Sequence, residues 1–488
     1  MGEIIAVVNK KGDNATNVAV SMLEMLNYKK AEAFGIASPN NVEIEKSVEA
    51  LCGRIIKSPI TIGYAFSKIL ASDKPQPMML KDATFVFDGR LYPSIAETCD
   101  AEIVAEKLQK NRKENIKKLI QKVEGEFAFV IAESESLVAG RDVMGLRPLY
   151  YGENTEYAAL ASERKALWKI GIKNTSSFPP GHVAFINENG FKLKPIKTLE
   201  YSKTKQTSMQ AATKKLQTLL QKSVEERVSG LKEAALAFSG GLDSSLIALL
   251  AKNSGVNVKL IHVSLKNQPE TKHAEKAAEA LKLPVYSYLY EEKDVAETLP
   301  KVLWLIEEPD PVKVSIGVPF YWVAENAAKM RLKILLAGQG ADELFGGYKR
   351  YVNDYWRYGS GRVQEKIFND IAKMYENNFE RDFKICNFHN VELRLPFATY
   401  SIANFAIDLP LELKINLLDR GVRKIVLRRL GKKLGLPPCI TEREKKAIQY
   451  ATGVSKILKK LANNKGLSQK EYLQQTFQIV LKRMMEHE

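Results

Sequence analysis

The sequence has little cysteine and no long hydrophobic segment. Its four cysteines, Cys52, Cys99, Cys386 and Cys439, are spaced neither as a disulfide framework nor as a structural zinc site. No run of about 18 apolar residues is present. The N-terminus also lacks the pattern of a secretory signal peptide, which is a basic segment followed by an apolar one and a small-residue cleavage site. We therefore expect reduced thiols, no structural zinc, no membrane partner and a soluble protein of the cytoplasm.

Positive charge, in contrast, is abundant. Lysine and arginine number 73 against 57 aspartates and glutamates, so the formal net charge is +16. A charge of this size admits nucleic acid as a partner. The lysines nevertheless occur in short groups, such as Lys117-Lys118 and Lys459-Lys460, within segments of helical periodicity, where a solvated helix face is the usual explanation. We therefore do not expect nucleic acid to be a partner.

Length and periodicity predict two domains. With 488 residues, 45% of them apolar, the chain is longer than one hydrophobic core usually serves. Residues 1–195 contain mostly short β segments, with helical periodicity near 16–30 and 101–122, which is typical of an α+β domain of layered, facing sheets. A polar, lysine-rich stretch around 195–207 is the best linker candidate. The predicted domains are 1–195 and 208–488.

The second predicted domain alternates helices with apolar strands. This alternation indicates βαβ units and an α/β domain with a parallel sheet. After residue 350 the sequence is largely helical. The predicted elements are strands 234–238, 258–263, 285–289 and 333–337 and helices 243–253, 271–282 and 292–307.

A glycine- and serine-rich loop follows the first of these strands. It reads Ser239-Gly240-Gly241-Leu242-Asp243-Ser244-Ser245, and we call residues 239–245 the phosphate loop. Two adjacent glycines let backbone N–H groups close on an oxyanion, and the following helix directs its positive dipole end at the same point. Asp243 would repel a bare phosphate, so a cation such as Mg²⁺ is expected between them. The loop lacks the spacing of the commoner nucleotide loop ending in Gly-Lys-Ser/Thr.

A second polar motif follows strand 333–337. It reads Gly338-Gln339-Gly340-Ala341-Asp342-Glu343-Leu344-Phe345-Gly346-Gly347-Tyr348. Because ligands of parallel sheets bind at the carboxyl ends of strands, both motifs are expected at one site. Taken alone, Asp342 could be a helix N-cap, but the intact second motif favours a metal ligand.

Together the two motifs resemble those of the asparagine synthetase family, and the resemblance extends over nearly the whole chain. Three further segments agree with the family in order and spacing: 391–397 with its Glu-x-Arg-x-Pro-Phe, 424–428 with its Lys-x-x-Leu-Arg, and 443–449 with its Arg-x-Lys. The resemblance implies a PP-loop ATP pyrophosphatase domain of the adenine nucleotide α-hydrolase type. It also implies adenylation of a substrate carboxylate by ATP, amide formation with ammonia, and a homodimer.

The resemblance assigns roles residue by residue. Lys445 would be the catalytic cation, although by itself it could be one more surface lysine, and Arg394 could equally be a structural ion-pair partner of Glu392. The assigned residues are Leu236, Ser239, Gly240, Gly241, Asp243, Ser244, Ser245 and Gly338 for ATP, Asp243 and Asp342 for the metal, Gln339 and Asp342 for the acid, and Lys445, Asp342 and Arg394 for catalysis.

One position departs from the family within the second motif. Gln339 stands where the family usually has glutamate, which helps to orient the amino group of the acid substrate or serves amide formation. Glutamine keeps the shape of that side chain and loses its charge. The acid is therefore expected to be aspartate or a related acid.

The first domain resembles the family's class II glutaminase domain, an N-terminal-nucleophile fold of layered β-sheets. The sequence matches the structural landmarks of that domain at four segments, 123–129, 141–150, 161–167 and 180–182. Its chemistry needs a cysteine directly after Met1, whose thiolate attacks glutamine. Gly2 occupies that position.

The rest of the expected glutamine pocket has changed as well. Phe66 stands where the family's arginine would hold the glutamine carboxylate, and Asp88-Gly89 replaces the Asn-Gly of the oxyanion hole. Asp100 alone is kept. We therefore expect this domain to retain its fold without glutaminase activity.

Two other functions remain open at this stage. Other ATP pyrophosphatases that share Ser-Gly-Gly-x-Asp-Ser modify tRNA, and the chain is basic. Alternatively, the chain is a catalytically inactive scaffold. The second motif and the glutaminase-like domain favour the amide ligase over tRNA modification, and the intact residues of the phosphate loop oppose the scaffold.

Overall fold

The computed structural model divides the chain into two compact units, residues 1–198 and 199–488. It describes residues 2–29, 31–52, 57–93, 98–202, 204–416, 421–444 and 446–486. Each unit has its own sheets and is considered by itself.

The first unit contains two antiparallel sheets. One has seven strands in the order β11-β9-β10-β1-β4-β2-β3, and the other has six in the order β13-β12-β8-β7-β6-β5. Its elements are strands β1 (Gly2–Asn9), β2 (Ala33–Ser38), β3 (Asn41–Glu45), β4 (Ile60–Phe66), β5 (Met78–Met79), β6 (Thr84–Tyr92), β7 (Glu124–Ala132), β8 (Leu137–Arg141), β9 (Tyr150–Glu153), β10 (Tyr157–Ala161), β11 (Ser176–Ser177), β12 (His182–Asn187) and β13 (Gly190–Pro195), and helices α1 (Thr16–Glu24), α2 (Val48–Cys52), α3 (Asp100–Leu108), α4 (Arg112–Lys122) and α5 (Arg164–Lys169).

Alternate residues of the strands build two separate cores in this unit. Because successive strand residues point to opposite faces, Val86 of β6 packs between the sheets while Phe85 and Phe87 pack on the other face. The second core is covered by α3 and α4, through residues such as Val104 and Leu119. The result is the layered α+β arrangement that the sequence predicts.

The second unit is built on a five-stranded parallel sheet. Its strand order, β16-β15-β14-β17-β18, changes direction between β14 and β17, so the two chain segments that leave these strands diverge at their carboxyl ends. Its strands are β14 (Glu233–Ala237), β15 (Asn257–Leu265), β16 (Val285–Tyr290), β17 (Ile334–Leu336), β18 (Glu392–Arg394), and the short pair β19 (Ile415–Asn416) and β20 (Val422–Arg423).

Helices surround this sheet and form the carboxyl-terminal part of the unit. None of the helices among the described residues is both long and apolar enough to cross a membrane. The helices are α6 (Met209–Val228), α7 (Leu242–Asn253), α8 (Pro269–Leu281), α9 (Glu292–Ile306), α10 (Pro311–Lys329), α11 (Ala341–Leu344), α12 (Lys349–Ala372), α13 (Glu380–Phe388), α14 (Tyr400–Asp408), α15 (Leu411–Lys414), α16 (Ile425–Lys433), α17 (Pro438–Thr441), α18 (Ile448–Ala451), α19 (Val454–Asn463) and α20 (Gln469–Glu486).

The predicted fold classes are confirmed, while some element boundaries differ. The helical pattern at 101–122 is two helices, because Asn111 adopts a left-handed backbone with φ of 48° between α3 and α4. The helix expected over 16–30 ends at Glu24.

Candidate active site

A cavity of about 790 Å³ opens at the carboxyl ends of β14 and β17. Its wall includes Ser239, Asp243 and Ser244 from the phosphate loop and Gln339 and Asp342 from the second motif. The topological switch between the two strands explains this position, since a crevice forms where neighbouring connections leave a sheet in opposite directions. The two sequence motifs therefore line one site, as expected.

The phosphate loop is closed by its own hydroxyl groups. The backbone N–H of Gly241 donates to Ser239 Oγ at 3.2 Å, and Ser244 Oγ donates to the carbonyl of Gly241, also at 3.2 Å. Gly240 has a φ of 71°, a conformation that residues with a Cβ rarely adopt. Helix α7 starts at Leu242, within the loop, so its amide dipoles point toward the same cradle.

Lys424 joins the two motifs. Its Nζ lies 2.5 Å from Asp243 Oδ2 and 2.6 Å from Asp342 Oδ1. The side chain is buried, and burial alone would lower the pKa of Lys424. The two carboxylates outweigh this effect and raise the pKa, so the ammonium group stays charged between them.

Two glycines leave room for this charged cluster. A Cβ on Gly347 would overlap Asp342 Oδ1 and Lys424 Cε, and one on Gly338 would lie 3.1 Å from Asp243 Cβ. A side chain at Gly347 would therefore push the carboxylate and the ammonium apart. This close approach explains the glycine physically.

Arg428 holds the backbone next to Lys424 and the backbone of residues 441–443. Its guanidinium donates to the carbonyls of Arg423 at 2.7 Å, Thr441 at 2.6 Å and Arg443 at 2.9 Å. Burial lowers the pKa of Arg428. The arginine of the 424–428 segment thus ties the chain near Lys424 to the chain that leads into residue 445.

Gln339, which is half-buried at another part of the cavity wall, is hydrogen-bonded to a buried pair, Asp382 and Arg381. Its Nε2 donates to Asp382 Oδ2 at 2.7 Å, and Arg381 Nε donates to Asp382 Oδ1 at 2.7 Å. Burial raises the pKa of Asp382 even though Arg381 and Gln339 act in the opposite direction. One N–H of Gln339 Nε2 is donated to Asp382, which leaves the second N–H to donate to a ligand and Oε1 to accept from one.

Glu343 and Tyr348 form a second buried pair beside Asp342. Tyr348 donates its hydroxyl to Glu343 Oε1, and Asn378 Nδ2 donates to the same oxygen at 2.6 Å. Burial and the neighbouring Asp342 carboxylate raise the pKa of Glu343. The two neighbouring carboxylates therefore differ in their partners: Asp342 is paired with Lys424, whereas Glu343 accepts hydrogen bonds from Tyr348 and Asn378.

The expected glutamine pocket of the first unit is nearly closed. A cavity of about 10 Å³ is lined by Phe66 and Asp100 among others, a volume that holds about one water molecule. The backbone N–H of Gly2 donates to Asp88 Oδ1 at 3.0 Å. A Cβ at Gly2 would overlap the ring of the buried Tyr64.

Buried charged side chains of this unit pair with one another, and Asp73, Arg90 and Asp100 do so at the cavity wall. Arg90 binds both oxygens of Asp73, at 2.5 and 2.8 Å, and lies 3.6 Å from Asp100. Arg147 pairs with Glu126 at 2.8 Å, with both side chains fully buried. This part of the unit is thus polar and largely filled.

Comparisons with protein families find a match in each of the two units. The sequence model described as Asparagine synthase matches residues 215–361 and 355–486, together more than half of the chain. The chain belongs to the asparagine synthase family. A second model, described as Glutamine amidotransferase domain, matches residues 65–169. Membership of the asparagine synthase family makes this protein a carbon–nitrogen ligase that uses ATP.

Individual relatives of the asparagine synthase family differ in how much of their length this chain covers. "Putative asparagine synthetase (glutamine-hydrolyzing) 1" of Methanocaldococcus jannaschii is 28% identical over 96% of this chain and 97% of its own length. "Asparagine synthetase (glutamine-hydrolyzing) 2" of Arabidopsis thaliana is 26% identical over 73% of this chain and 62% of its own. The corresponding Bacillus subtilis protein, numbered 1, is 27% identical over 59% of this chain and 52% of its own.

Some residues assigned through the asparagine synthase resemblance lie away from the cavity. Leu236 is a fully buried residue of β14, and Ser245 is buried within α7. Arg394 is buried, with its Nε donating to Glu392 Oε1 at 2.7 Å and its Nη1 to the carbonyl of Arg227. This geometry corrects the expected catalytic role of Arg394, because the side chain stabilises the interior and does not reach the cavity wall.

The outcome differs for the two lysines of the asparagine synthase segments, Lys445 and Lys424. Lys445 lies outside the described residues, so its assigned role stays a prediction. Lys424 was recognised only as part of the 424–428 segment, and sequence reasoning gave it no role. Its carboxylate partner Asp243 is 181 positions away, and no local pattern announces such a contact.

Proposed function

We propose that the protein is an AMP-forming amide ligase that adenylates the side-chain carboxylate of aspartate or a related acid and amidates it with ammonia. The observation that carries this proposal is the ammonium group of Lys424 between Asp243 and Asp342 at the wall of the 790 Å³ cavity. This cluster places a buried cation and two carboxylates beside a loop suited to phosphate.

In the first step, an oxygen of the substrate carboxylate bonds to the α-phosphorus of ATP. The bond from that phosphorus to pyrophosphate breaks, and pyrophosphate leaves with the bonding electrons. Negative charge therefore grows on the leaving group, where the hydroxyls of Ser239 and Ser244 and the ammonium of Lys424 supply stabilisation. Lys445 is proposed as a second cation for the same charge.

Asp243 and Asp342 suit Mg²⁺ as part of this site. Magnesium in nucleotide sites is commonly bound by one or two carboxylates together with substrate phosphates. The described residues contain no group of three or more histidine, cysteine or acidic side chains that could hold a metal unaided. Asp243 Oδ1 is buried and has no hydrogen-bond partner in the described part of the chain, which leaves an oxygen for a cation. Bound Mg²⁺ would offset the charge of the phosphates.

In the second step, the nitrogen of ammonia attacks the acyl carbon of the adenylate. The carbon–oxygen bond to AMP breaks, AMP leaves with the electron pair, and the nitrogen loses a proton. Gln339 is proposed to bind the acid through Oε1, since its bond to Asp382 holds the side-chain amide in place. The neutral amide is compatible with aspartate and with related acids that carry an uncharged donor.

We further propose that the first unit does not hydrolyse glutamine. Gly2 offers no nucleophile, Tyr64 fills the space of a side chain there, and the remaining cavity of about 10 Å³ is too small for glutamine. Asp88, whose carboxylate accepts from Gly2 N–H, would repel an oxyanion. The unit would then act as a structural partner of the ligase half, within a cytoplasmic homodimer.

The test is acid-dependent exchange of labelled pyrophosphate into ATP, followed by mass measurement of the amide formed with ammonia. The proposal predicts exchange with aspartate or a structural relative and an amide product. Exchange stimulated by tRNA and by no small acid would instead support a tRNA-modifying enzyme. No exchange with any acid or tRNA, by protein that binds ATP, would support an inactive scaffold.

A further inference from the structure

The first two turns of helix α8 contact three different parts of the candidate active site. Glu270 bonds to the segment before α18, Thr271 lies 3.4 Å from His262 of the cavity wall, and His273 bonds to the phosphate loop. Residues 270 and 273 share one face of the helix because they are three positions apart. This face therefore lies between two segments that the ATP site requires.

His273 holds the phosphate loop through a single hydrogen bond. Its Nε2 lies 2.9 Å from the carbonyl oxygen of Gly240, and because that oxygen can only accept, Nε2 carries the proton. In a trans peptide the carbonyl and the following N–H point in opposite directions. Drawing the Gly240 carbonyl toward α8 therefore turns the N–H of Gly241 away from α8, toward Ser239 Oγ.

The loop also packs directly on this helix. A Cβ on Gly240 would lie 2.8 Å from Ala274 Cα and 2.9 Å from His273 Cδ2. The phosphate loop thus rests on α8 without an intervening side chain, and the imidazole fixes its orientation.

Glu270 holds the second segment by charge. Its buried Oε1 lies 2.7 Å from Lys446 Nζ and 3.6 Å from Arg443 Nη2. Arg428 also holds this segment, because its guanidinium donates to the carbonyl of Arg443. Glu270 and Arg428 together therefore fix the chain immediately before and after position 445.

We propose that Glu270 and His273 are positioning residues that hold the phosphate loop and the chain at Arg443 and Lys446 at a fixed separation, so that ATP binds between preformed groups. Neither side chain needs to touch the reacting atoms. His273 acts on ATP affinity through the loop, and Glu270 acts mainly on the rate of adenylation through the segment around position 445. The inference rests on the proposed ATP site and not on the identity of the acid.

The experiment compares the full-length variants His273→Ala, His273→Gln and Glu270→Ala with the unaltered protein. Magnesium ATP binding is measured by calorimetry without acid, and KM and kcat are measured by pyrophosphate exchange with the best acid. Lys272→Ala is the matched control, since Lys272 is an exposed residue of the same turn. Thermal unfolding checks that each variant is folded.

Loss of one hydrogen bond that orients the loop is expected to weaken ATP binding about tenfold in His273→Ala. His273→Gln should recover most of this affinity because its Nε2 can donate to the same carbonyl. Glu270→Ala should lower kcat by about tenfold or more with a smaller change in ATP affinity. Lys272→Ala should change neither quantity.

Unchanged ATP binding in folded His273→Ala, or equal loss in the alanine and glutamine variants, would overturn the role of His273. Unchanged kcat in Glu270→Ala would overturn the role of Glu270. If no acid supports exchange but His273→Ala still weakens ATP binding and His273→Gln restores it, the positioning role of His273 stands while the proposed ligase function fails. The two failures are therefore distinguishable.

Discussion

The two pockets of this protein use charged residues in opposite ways. In the first unit, Arg90 is paired with Asp73 at the wall of a cavity of about 10 Å³, and Arg147 is paired with the buried Glu126. In the second unit, Asp243 and Asp342 share Lys424 beside a cavity of about 790 Å³. Charges in the first pocket satisfy one another, whereas those in the second border space that a ligand can enter.

This difference indicates which pocket can still do chemistry. Buried ion pairs persist when each partner compensates the other, and removing one partner leaves an uncompensated charge. The first pocket can therefore keep polar residues for stability after its nucleophile is gone. The second pocket has one lysine for two carboxylates. This arrangement is suited to binding nucleotide phosphates together with a cation.

The largest effect is expected from Lys424→Ala. Removing this cation leaves Asp243 and Asp342 facing one another and withdraws stabilisation from pyrophosphate, so kcat/KM for ATP–pyrophosphate exchange should fall by about 10²–10³-fold. Lys432→Ala, at an exposed lysine paired with Glu442, is the control and should retain full activity. Full exchange activity in folded Lys424→Ala would contradict a catalytic role of this lysine and, with it, the difference drawn between the two pockets.

Acid should weaken the first pocket selectively. Burial favours the neutral form of Asp73, but hydrogen bonds from Arg90 outweigh it and lower the pKa of Asp73 to about 2. Because the folded pKa is below the unfolded value of about 3.9, the associated stability is present above pH 4 and is lost as pH falls toward 2. Urea unfolding should show a loss of about 2 kcal/mol over this range. A curve for Asp73→Asn with the same acid-dependent slope would refute the assignment to this pair.

Returning a thiol to the first pocket should not restore activity. Gly2→Cys brings its Cβ against Tyr64 and to 2.5 Å from the carbonyl oxygen of Ala65, and overpacking of this kind costs about 1–3 kcal/mol in the free energy of unfolding. Glutamate release should remain absent, and pyrophosphate exchange should be unchanged. Gly361→Ala, where a Cβ would meet nothing within 4 Å, is the stability control. Glutamate release by Gly2→Cys would show that the pocket admits glutamine.

The smallest effect concerns the acid side of the second pocket. Gln339→Glu places a second carboxylate beside Asp382, at a site where the present distance is 2.7 Å. Two carboxylates this close do not both ionise readily, so KM for the acid should become pH-dependent and change a few-fold between about pH 5 and 8. Gln449→Glu makes the same change elsewhere in the cavity wall and is the control. Identical pH profiles for the two variants would argue against a special role of Gln339.

Sequence reasoning succeeded where a local pattern carries the structure. The phosphate loop is recognisable because a strand, two glycines and a helix start are adjacent, and β14 and α7 form within one or two residues of their predicted bounds. The strands β2 (Ala33–Ser38) and β4 (Ile60–Phe66) are buried along their whole length and show no polar alternation, so the alternation of polar and apolar residues does not single them out.

The parts that sequence could not provide depend on distant contacts. The ion pair of Lys424 with Asp243 follows from the packing of α16 against α7, and the burial of Arg394 follows from the position of β18 beside β17 and its bond to Arg227 of α6. No spacing in the sequence reveals these contacts. Likewise, Gly2 showed that a nucleophile is missing, but only the position of Tyr64 shows that the space has been filled.

The most direct test of the central claim measures both pockets in one preparation. Purified protein is supplied with ATP, Mg²⁺, a panel of aspartate-like acids and glutamine, and pyrophosphate exchange and glutamate release are followed together. The account predicts acid-dependent exchange with no glutamate release, and amide formation only when ammonia is added. Glutamate release that supports amide formation, or the absence of exchange with every acid, would contradict it.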